Sequence, residues 1–238
     1  MAFKEDLESV AADFFGGSYE ISKGTAIPSV EDIAFGKVGR ELELTMLFAD
    51  IRESTAIVDA FRRTTAARMY KAFLGGMARI AKHRGGELRS FNGDGLLAVF
   101  AGGTKNTSAV RAAMNMKWYC KDVLKPKMAN YFENNSEAED LDLDFGIGVH
   151  TGTVLVVRGG FKGENNNDLV WVGNATNYAV KLANLGSQPW NIHITEAVYN
   201  MMHDETKYVD AATKTTNMWT WTTLDDEKVL KTTYQWTP

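Results

Sequence analysis

Two aspartates carry the chemistry that this sequence states most directly. Asp50 ends the apolar run Leu44-Thr-Met-Leu-Phe-Ala-Asp50, and Asp94 lies in the tight turn Asn92-Gly-Asp-Gly95. If the strands that carry them lie side by side, both carboxylates reach one edge of a sheet and form a site for a hard divalent cation. Such ions prefer carboxylate oxygen, keep several waters and are shared between one or two carboxylates and the phosphates of a nucleotide. Phosphoryl-transfer chemistry on a nucleoside triphosphate is therefore the first expectation. Ser54 and Thr55 follow Asp50 closely, and a turn that opens a helix there aims backbone N–H groups and a positive dipole end at a polyphosphate. Ser54 equally suits a plain helix N-cap. Asn177 and Lys181 are spaced i, i+4 and share one helix face.

The elements that must hold these residues follow from periodicity and turn chemistry. A short helix over Phe3 to Phe14 leads through a loop-rich connector, Gly16 to Lys37, into a buried strand, Leu42 to Ala49. A long amphipathic helix, Thr64 to His83, stops at Gly85-Gly86, and the strands Glu87 to Phe91 and Leu96 to Phe100 flank the Asn-Gly-Asp-Gly hairpin turn. One further long helix is predicted from Thr107 to Tyr131, followed by a solvated acidic run, Glu137 to Asp144, and a strand from Leu141 to His150. Thr151-Gly152 reads as a turn into Val154 to Val157, and Gly159 to Asn167 as an exposed loop. A strand over Asp168 to Val172, a helix over Asn174 to Leu185 and a strand over Asn191 to Thr195 complete the pattern. This order predicts an α/β (α+β) fold, a ferredoxin-like βαββαβ sandwich with extra C-terminal strands. The organisation read from it is an N-terminal helix and connector over 1–40 and one catalytic domain over 41–238.

Composition narrows the function. With 238 residues, 45% hydrophobic content and a net charge of -4, the chain is long enough for one large domain and lacks the overall basic balance of a nucleic-acid binder. No apolar stretch approaches the roughly 20 residues of a membrane span, and Glu5, Asp6 and Glu8 are unlike a signal peptide's basic start. A cytoplasmic protein is expected, with no membrane association. The single cysteine, Cys120, forms no internal disulfide and reads as a buried thiol.

Four blocks, Phe48-Ala-Asp-Ile-Arg-Glu-Ser-Thr55, Phe91-Asn-Gly-Asp-Gly-Leu-Leu-Ala-Val-Phe100, Gly146-Ile-Gly-Val-His-Thr-Gly152 and Val172-Gly-Asn-Ala-Thr-Asn-Tyr-Ala-Val-Lys-Leu182, stand in an order and spacing that resemble the class III nucleotidyl cyclases. The resemblance implies that Asp50, Asp94 and the Ile51 carbonyl hold two Mg²⁺ or Mn²⁺ ions, and that Arg52, Ser54 and Thr55 form a phosphate-binding loop. Glu53 stands where that family often has glycine. Asn177 matches the asparagine that orients the ribose, and Lys181 replaces the arginine that neutralises charge on the α-phosphate, keeping the charge but losing the planar fork. Lys228, ahead of Lys231, matches a triphosphate-binding lysine. Members act as head-to-tail dimers, so the resemblance implies a homodimer with two composite sites, Asp50 and Asp94 of one chain facing Asn177 and Lys181 of the other.

At the positions where adenylyl cyclases of this class carry a lysine and an aspartate or threonine, this sequence has Ser90 and Val170. That departure disfavours purines and resembles the pyrimidine cyclases of bacterial antiphage signalling, whose cyclic UMP or cyclic CMP is read by a separate effector protein. Ser90, Asn92 and Arg89 are polar groups for a base edge, Val170 is a further base-pocket position, and a smaller pyrimidine would tolerate bulk such as Trp171 or Phe91. UTP is the expected substrate; cytidylate cyclase, an adenylyl cyclase with an altered base pocket, and a catalytically retired nucleotide-binding module are the alternatives. His150 reads as a structural hydrogen-bonding residue.

Overall fold

The structure, a computed structural model, describes residues 2–135, 142–163 and 165–238. In chain order its elements are α1 (Ala2–Phe15), β1 (Glu20–Lys23), β2 (Val38–Ile51), α2 (Ser54–Ala60), α3 (Arg63–His83), β3 (Glu87–Asn92) and β4 (Gly95–Phe100). They continue with α4 (Lys105–Trp118), a π-helical turn (Tyr119–Leu124), α5 (Lys125–Asn135), β5 (Phe145–Gly160), β6 (Asn167–Val172), α6 (Asn174–Leu185), β7 (Ile192–Thr195) and α7 (Glu196–Met201). Four short strands follow: β8 (Tyr208–Asp210), β9 (Thr215–Asn217), β10 (Thr220–Leu224) and β11 (Glu227–Thr232). The chain divides into two compact units, Leu44–Gly152 with Asn174–Pro238, and Met1–Glu43 with Thr153–Gly173.

In the larger unit the strands run in the order β10-β11-β7-β5-β2-β4-β3. The segment β5-β2-β4-β3, with helical connections after β2 and β4, is the ferredoxin-like arrangement that the sequence order predicts. Successive side chains of a strand face opposite ways, and the buried set Leu47, Ala49, Leu96, Ala98, Phe145 and Ile147 packs against Phe73, Met77, Ala109, Val110, Ala113 and Met116 from the helices. Cys120 is fully buried in the same core. Gly146 and Gly148 point the other way, and there α6 lies directly on the strand: a Cβ at Gly146 would stand 1.9 Å from the Ala183 carbonyl oxygen, and one at Gly148 would stand 2.0 Å from that of Ala179. Backbone cannot yield as a side-chain tip does, so Gly148→Ala is expected to cost about 3 kcal/mol or more of stability, at the upper end of overpacking penalties. Urea unfolding at constant m value measures it, and an unchanged midpoint would refute the close contact.

The smaller unit holds β1, parallel to β2 with Glu20 opposite Val38, and β6, antiparallel to β5 with Leu155 opposite Val172 and Gly160 opposite Asn167. Arg158 stacks 4.2 Å over Phe35 and donates from Nε to Asn167 Oδ1 at 2.8 Å.

Several elements differ from the sequence expectation. The connector from Gly16 to Lys37 contains β1, whose isolated four residues carry too little pattern to separate them from a loop. Thr151-Gly152 is not a turn, because β5 is one strand of 16 residues. Thr151 is buried there, its hydroxyl donating to the Leu44 carbonyl at 3.1 Å and accepting from Thr45 Oγ1 at 3.1 Å, so a dipeptide polar enough for a turn is satisfied inside the sheet. The single helix from Thr107 to Tyr131 is α4 and α5 joined by the π turn. Pro126 lacks an N–H and its ring crowds the preceding helical turn, and a wider π turn just before it absorbs that misfit. Part of the acidic run Glu137 to Asp144, and the predicted strand start at Leu141, lie outside the described residues. No helix among the described residues is long and apolar enough to cross a membrane.

Candidate active site

The Asp50 carboxylate emerges at the end of β2, one residue past the last β2–β4 pair, Ala49 opposite Leu96. The β3–β4 turn brings Asp94 within hydrogen-bonding reach of it. This approach needs glycine at position 95, where a Cβ would stand 2.6 Å from Phe48 Cζ and 3.0 Å from Asp50 Oδ1. Burial, and then the Asp94 charge and hydrogen bond, push the Asp50 carboxyl up to about 6, with Arg52 only partly offsetting them. Two carboxylates converging without enough positive charge between them are the donor set that a divalent cation stabilises. Among the described residues no third His, Cys, Asp or Glu joins a cluster of that kind. The donor set fits an ion whose remaining coordination comes from backbone carbonyl, water and phosphate.

Beyond Ile51, which is buried, the chain reverses into α2 through Glu53, at φ 51 and ψ 37. This left-handed conformation suits glycine best, which gives a physical reason for the glycine that the resembling family carries there. Glu53 is the N-cap residue and makes no side-chain cap hydrogen bond, so Ser54 is the first residue of the helix and not its cap. Tyr70 Oη donates to the Ser54 carbonyl at 3.0 Å and ties α3 to that start, while Thr55 is exposed beside it. The Arg52 guanidinium donates to Asn184 Oδ1 at 3.4 Å and lines a cavity of about 280 Å³ whose walls include Asp142, Asp144 and Ser187.

Asn177 and Lys181 are exposed on α6. Lys181 Nζ lies 2.7 Å from Asp225 Oδ2, in the turn between β10 and β11, and the adjacent carboxylate holds the ammonium above the usual lysine range. Tyr178 donates to Glu227 Oε2 at 2.5 Å. Burial, then this hydrogen bond and the Glu227 charge, push the Tyr178 hydroxyl up to about 12. His150 packs 4.9 Å from the Tyr178 ring and its Nδ1 is 3.1 Å from Thr195 Oγ1. Nothing in their local sequence marks Tyr178, Asp225 or Glu227 for a role; Asp225-Asp226 signals a turn, but which helix that turn meets is a tertiary fact. Lys228 is exposed on β11 beside Trp221, Thr222 and Thr223, whereas Lys231 is engaged 4.6 Å from the Trp190 ring.

The carboxylate pair and the β10–β11 turn that pairs with Lys181 lie at opposite ends of the sheet. The Arg52 N–H bonds the Asp144 carbonyl at 2.9 Å, so the carboxylate end of β2 lies beside the start of β5. From there β5 and β7 run parallel, and β11 returns antiparallel with Val229 opposite Thr195. The β10–β11 turn therefore lies at the far end of the sheet from Asp50 and Asp94. Laterally, β11 is also four strand spacings from β4, about 19 Å at roughly 4.8 Å per spacing. Of the base-pocket candidates, Ser90 and Asn92 are exposed on the edge strand β3, and Ser90 follows a bulge at Arg89. Val170 and Trp171 belong to β6 in the smaller unit, Val170 exposed and Trp171 half-buried.

Comparison with known proteins matches residues 37–223 to the adenylate and guanylate cyclase catalytic domain. The chain is 35% identical to a uridylate cyclase of Xanthomonas perforans over 99% of each chain, and 33% identical to a uridylate cyclase of Burkholderia cepacia over 100% of each. Among solved structures it resembles a bacterial light-regulated adenylyl cyclase, with a TM-score of 0.65 and 18% identity over 83% of this chain and 54% of that one, so it spans about half of that longer protein. Matches of this length and identity place the chain in the adenylate and guanylate cyclase catalytic-domain family.

Proposed function

We propose that this chain is a uridylate cyclase, converting UTP to 3',5'-cyclic UMP and pyrophosphate at composite sites of a homodimer. The placement of Asp50 and Asp94 at one end of the sheet, with the β10–β11 turn that pairs with Lys181 at the other, carries the composite reading, because a second copy laid head to tail supplies the missing half at both sites. Asp50, Asp94 and the Ile51 carbonyl would hold two Mg²⁺ or Mn²⁺ ions, which supply charge stabilisation and a more acidic 3'-hydroxyl. In the reaction the 3'-oxygen bonds to the α-phosphorus, the bond from that phosphorus to the oxygen bridging toward the β-phosphate breaks, and the hydroxyl proton passes to solvent. Ser54 and Thr55 N–H groups at the start of α2, with Arg52 and Lys228, bind the polyphosphate. Asn177 of the second chain orients the ribose, and Lys181 neutralises charge on the α-phosphate.

Uracil rather than adenine is supported by the names of the full-length relatives and by Ser90 and Val170, which lack the polar groups that adenine readers carry. A buried base amino group without a partner costs about 1–3 kcal/mol. ATP should therefore be a poor substrate. Four triphosphates competing at equal concentration with Mn²⁺ or Mg²⁺, products resolved by mass, should yield mainly cyclic UMP. Dominant cyclic AMP would overturn the pyrimidine reading, and dominant cyclic CMP would refute only the uridine choice. By the same resemblance, the product serves as a second messenger in antiphage defence, acting in the cytoplasm on a separate effector.

A further inference from the structure

We infer that Asp225 is the positioning residue of Lys181, its carboxylate holding the ammonium on the same face of α6 that Asn177 occupies. The inference rests on the cyclase function proposed above and goes beyond it, because it assigns a part of the site to the β10–β11 turn. The geometry of the pair and the docking of its turn on α6 carry it. The Lys181 Nζ to Asp225 Oδ2 distance is 2.7 Å, while both side chains stay more than half exposed, at 57% and 62%. An exposed pair of this kind contributes little to stability, so holding the fold together is a weak reason for it.

The turn is a two-residue hairpin, with Leu224 opposite Glu227. Asp225 and Asp226 both take left-handed backbone conformations, at φ 49 and 66, where a two-residue hairpin readily accepts Asn, Asp or Gly first and Gly second. Asp225 suits the first place, so the hairpin presents its carboxylate to α6 without distortion at that residue. The turn is also docked a second time on the same helix, through Tyr178 and Glu227 at 2.5 Å, and Tyr178 is in turn packed by His150. Two contacts from consecutive turns of sequence, 178 and 181, leave the hairpin little freedom to swing relative to α6.

The chemistry of the replacement explains what the carboxylate adds. Arginine brings a planar fork that aligns itself on a phosphate, whereas the lysine ammonium is a point charge on a flexible four-carbon stem. A second fixed partner limits where that stem can place the charge. The ammonium has three N–H donors, so one on Asp225 leaves two for α-phosphate oxygens.

The test uses the full-length chain and the variant Asp225→Asn, which keeps the side chain's shape and tolerates the left-handed conformation. Expected is a fall in kcat of roughly tenfold, the effect of a loosened reacting-group partner, with the triphosphate KM changed less than twofold and the melting temperature unchanged. Adding Lys181→Arg to Asp225→Asn should recover most of kcat, since the guanidinium orients itself. Wild-type turnover in Asp225→Asn would overturn the inference, and so would faster turnover, which would make Asp225 a brake. A loss that Lys181→Arg does not rescue and that accompanies a lowered melting temperature would also overturn it, by showing a purely structural turn. The wild-type chain in the same assay separates the two layers: if it cyclises no triphosphate, the cyclase reading itself fails, whereas an active wild type with an unaffected Asp225→Asn removes only the role of Asp225.

Discussion

Alanine at Asp50 or at Asp94 is expected to lower cyclase turnover on the order of a thousandfold, the upper range for loss of one preorganised charge-stabilising group, while the folded chain stays at least as stable as the parent. The stability half of this expectation comes from the electrostatics. Asp50 is held up to about 6 by burial and by the neighbouring Asp94, so each carboxylate is present at the expense of the other, and removing either one relieves the pair. A site built for function and a site built for stability predict opposite signs here. Thermal unfolding with excess Mn²⁺ gives the second readout: a ligand that binds only the native state raises the melting temperature, so the parent should gain and both variants should not. Turnover close to parental in either variant would remove the two-carboxylate site from the mechanism. A large drop in melting temperature in both would make the pair a structural feature instead.

Mixing two inactive chains should restore activity. Asp50→Ala lacks the carboxylate half and Asn177→Ala lacks the ribose half, yet a heterodimer of the two in C2 symmetry contains one site built from the intact halves and one carrying both defects. At equal concentrations and full exchange, half of the dimers are mixed and each has one good site in two, so about a quarter of parental activity returns. Two variants with defects in the same half, Asp50→Ala and Asp94→Ala, should return nothing. Recovery in the first mixture alone confirms sites shared between chains. No recovery after exchange has been verified by mass would mean that the two halves act within one chain, against the roughly 19 Å lateral spacing inferred from the strand order.

Local signals were legible wherever a residue's own neighbours decide its conformation. Gly85-Gly86 stops α3 near its expected end, the Asn92–Gly95 turn joins β3 to β4, and α6 spans Asn174–Leu185 as its periodicity predicts. Asp50 and Asp94 were also placed together correctly, because a hairpin strand returning beside a buried strand leaves few alternatives for either carboxylate.

What the sequence by itself determined is therefore the set of chemical groups, the ferredoxin-like order of elements, and the spacing that puts Asn177 and Lys181 on one face. The tertiary structure decided which groups actually meet. Thr151 reads as a turn until a buried carbonyl at Leu44 satisfies it, and Glu53 stands where the resembling family often has glycine without the sequence showing why, until the reversal between β2 and α2 puts it in a left-handed backbone. Asp225 and Asp226 announce a turn, but only the antiparallel return of β11 beside β7 delivers that turn to α6 and to Lys181. The physical reason is range: turn chemistry and periodicity act over a few residues, whereas the Lys181–Asp225 contact joins positions 44 residues apart and exists only once the sheet has been assembled between them.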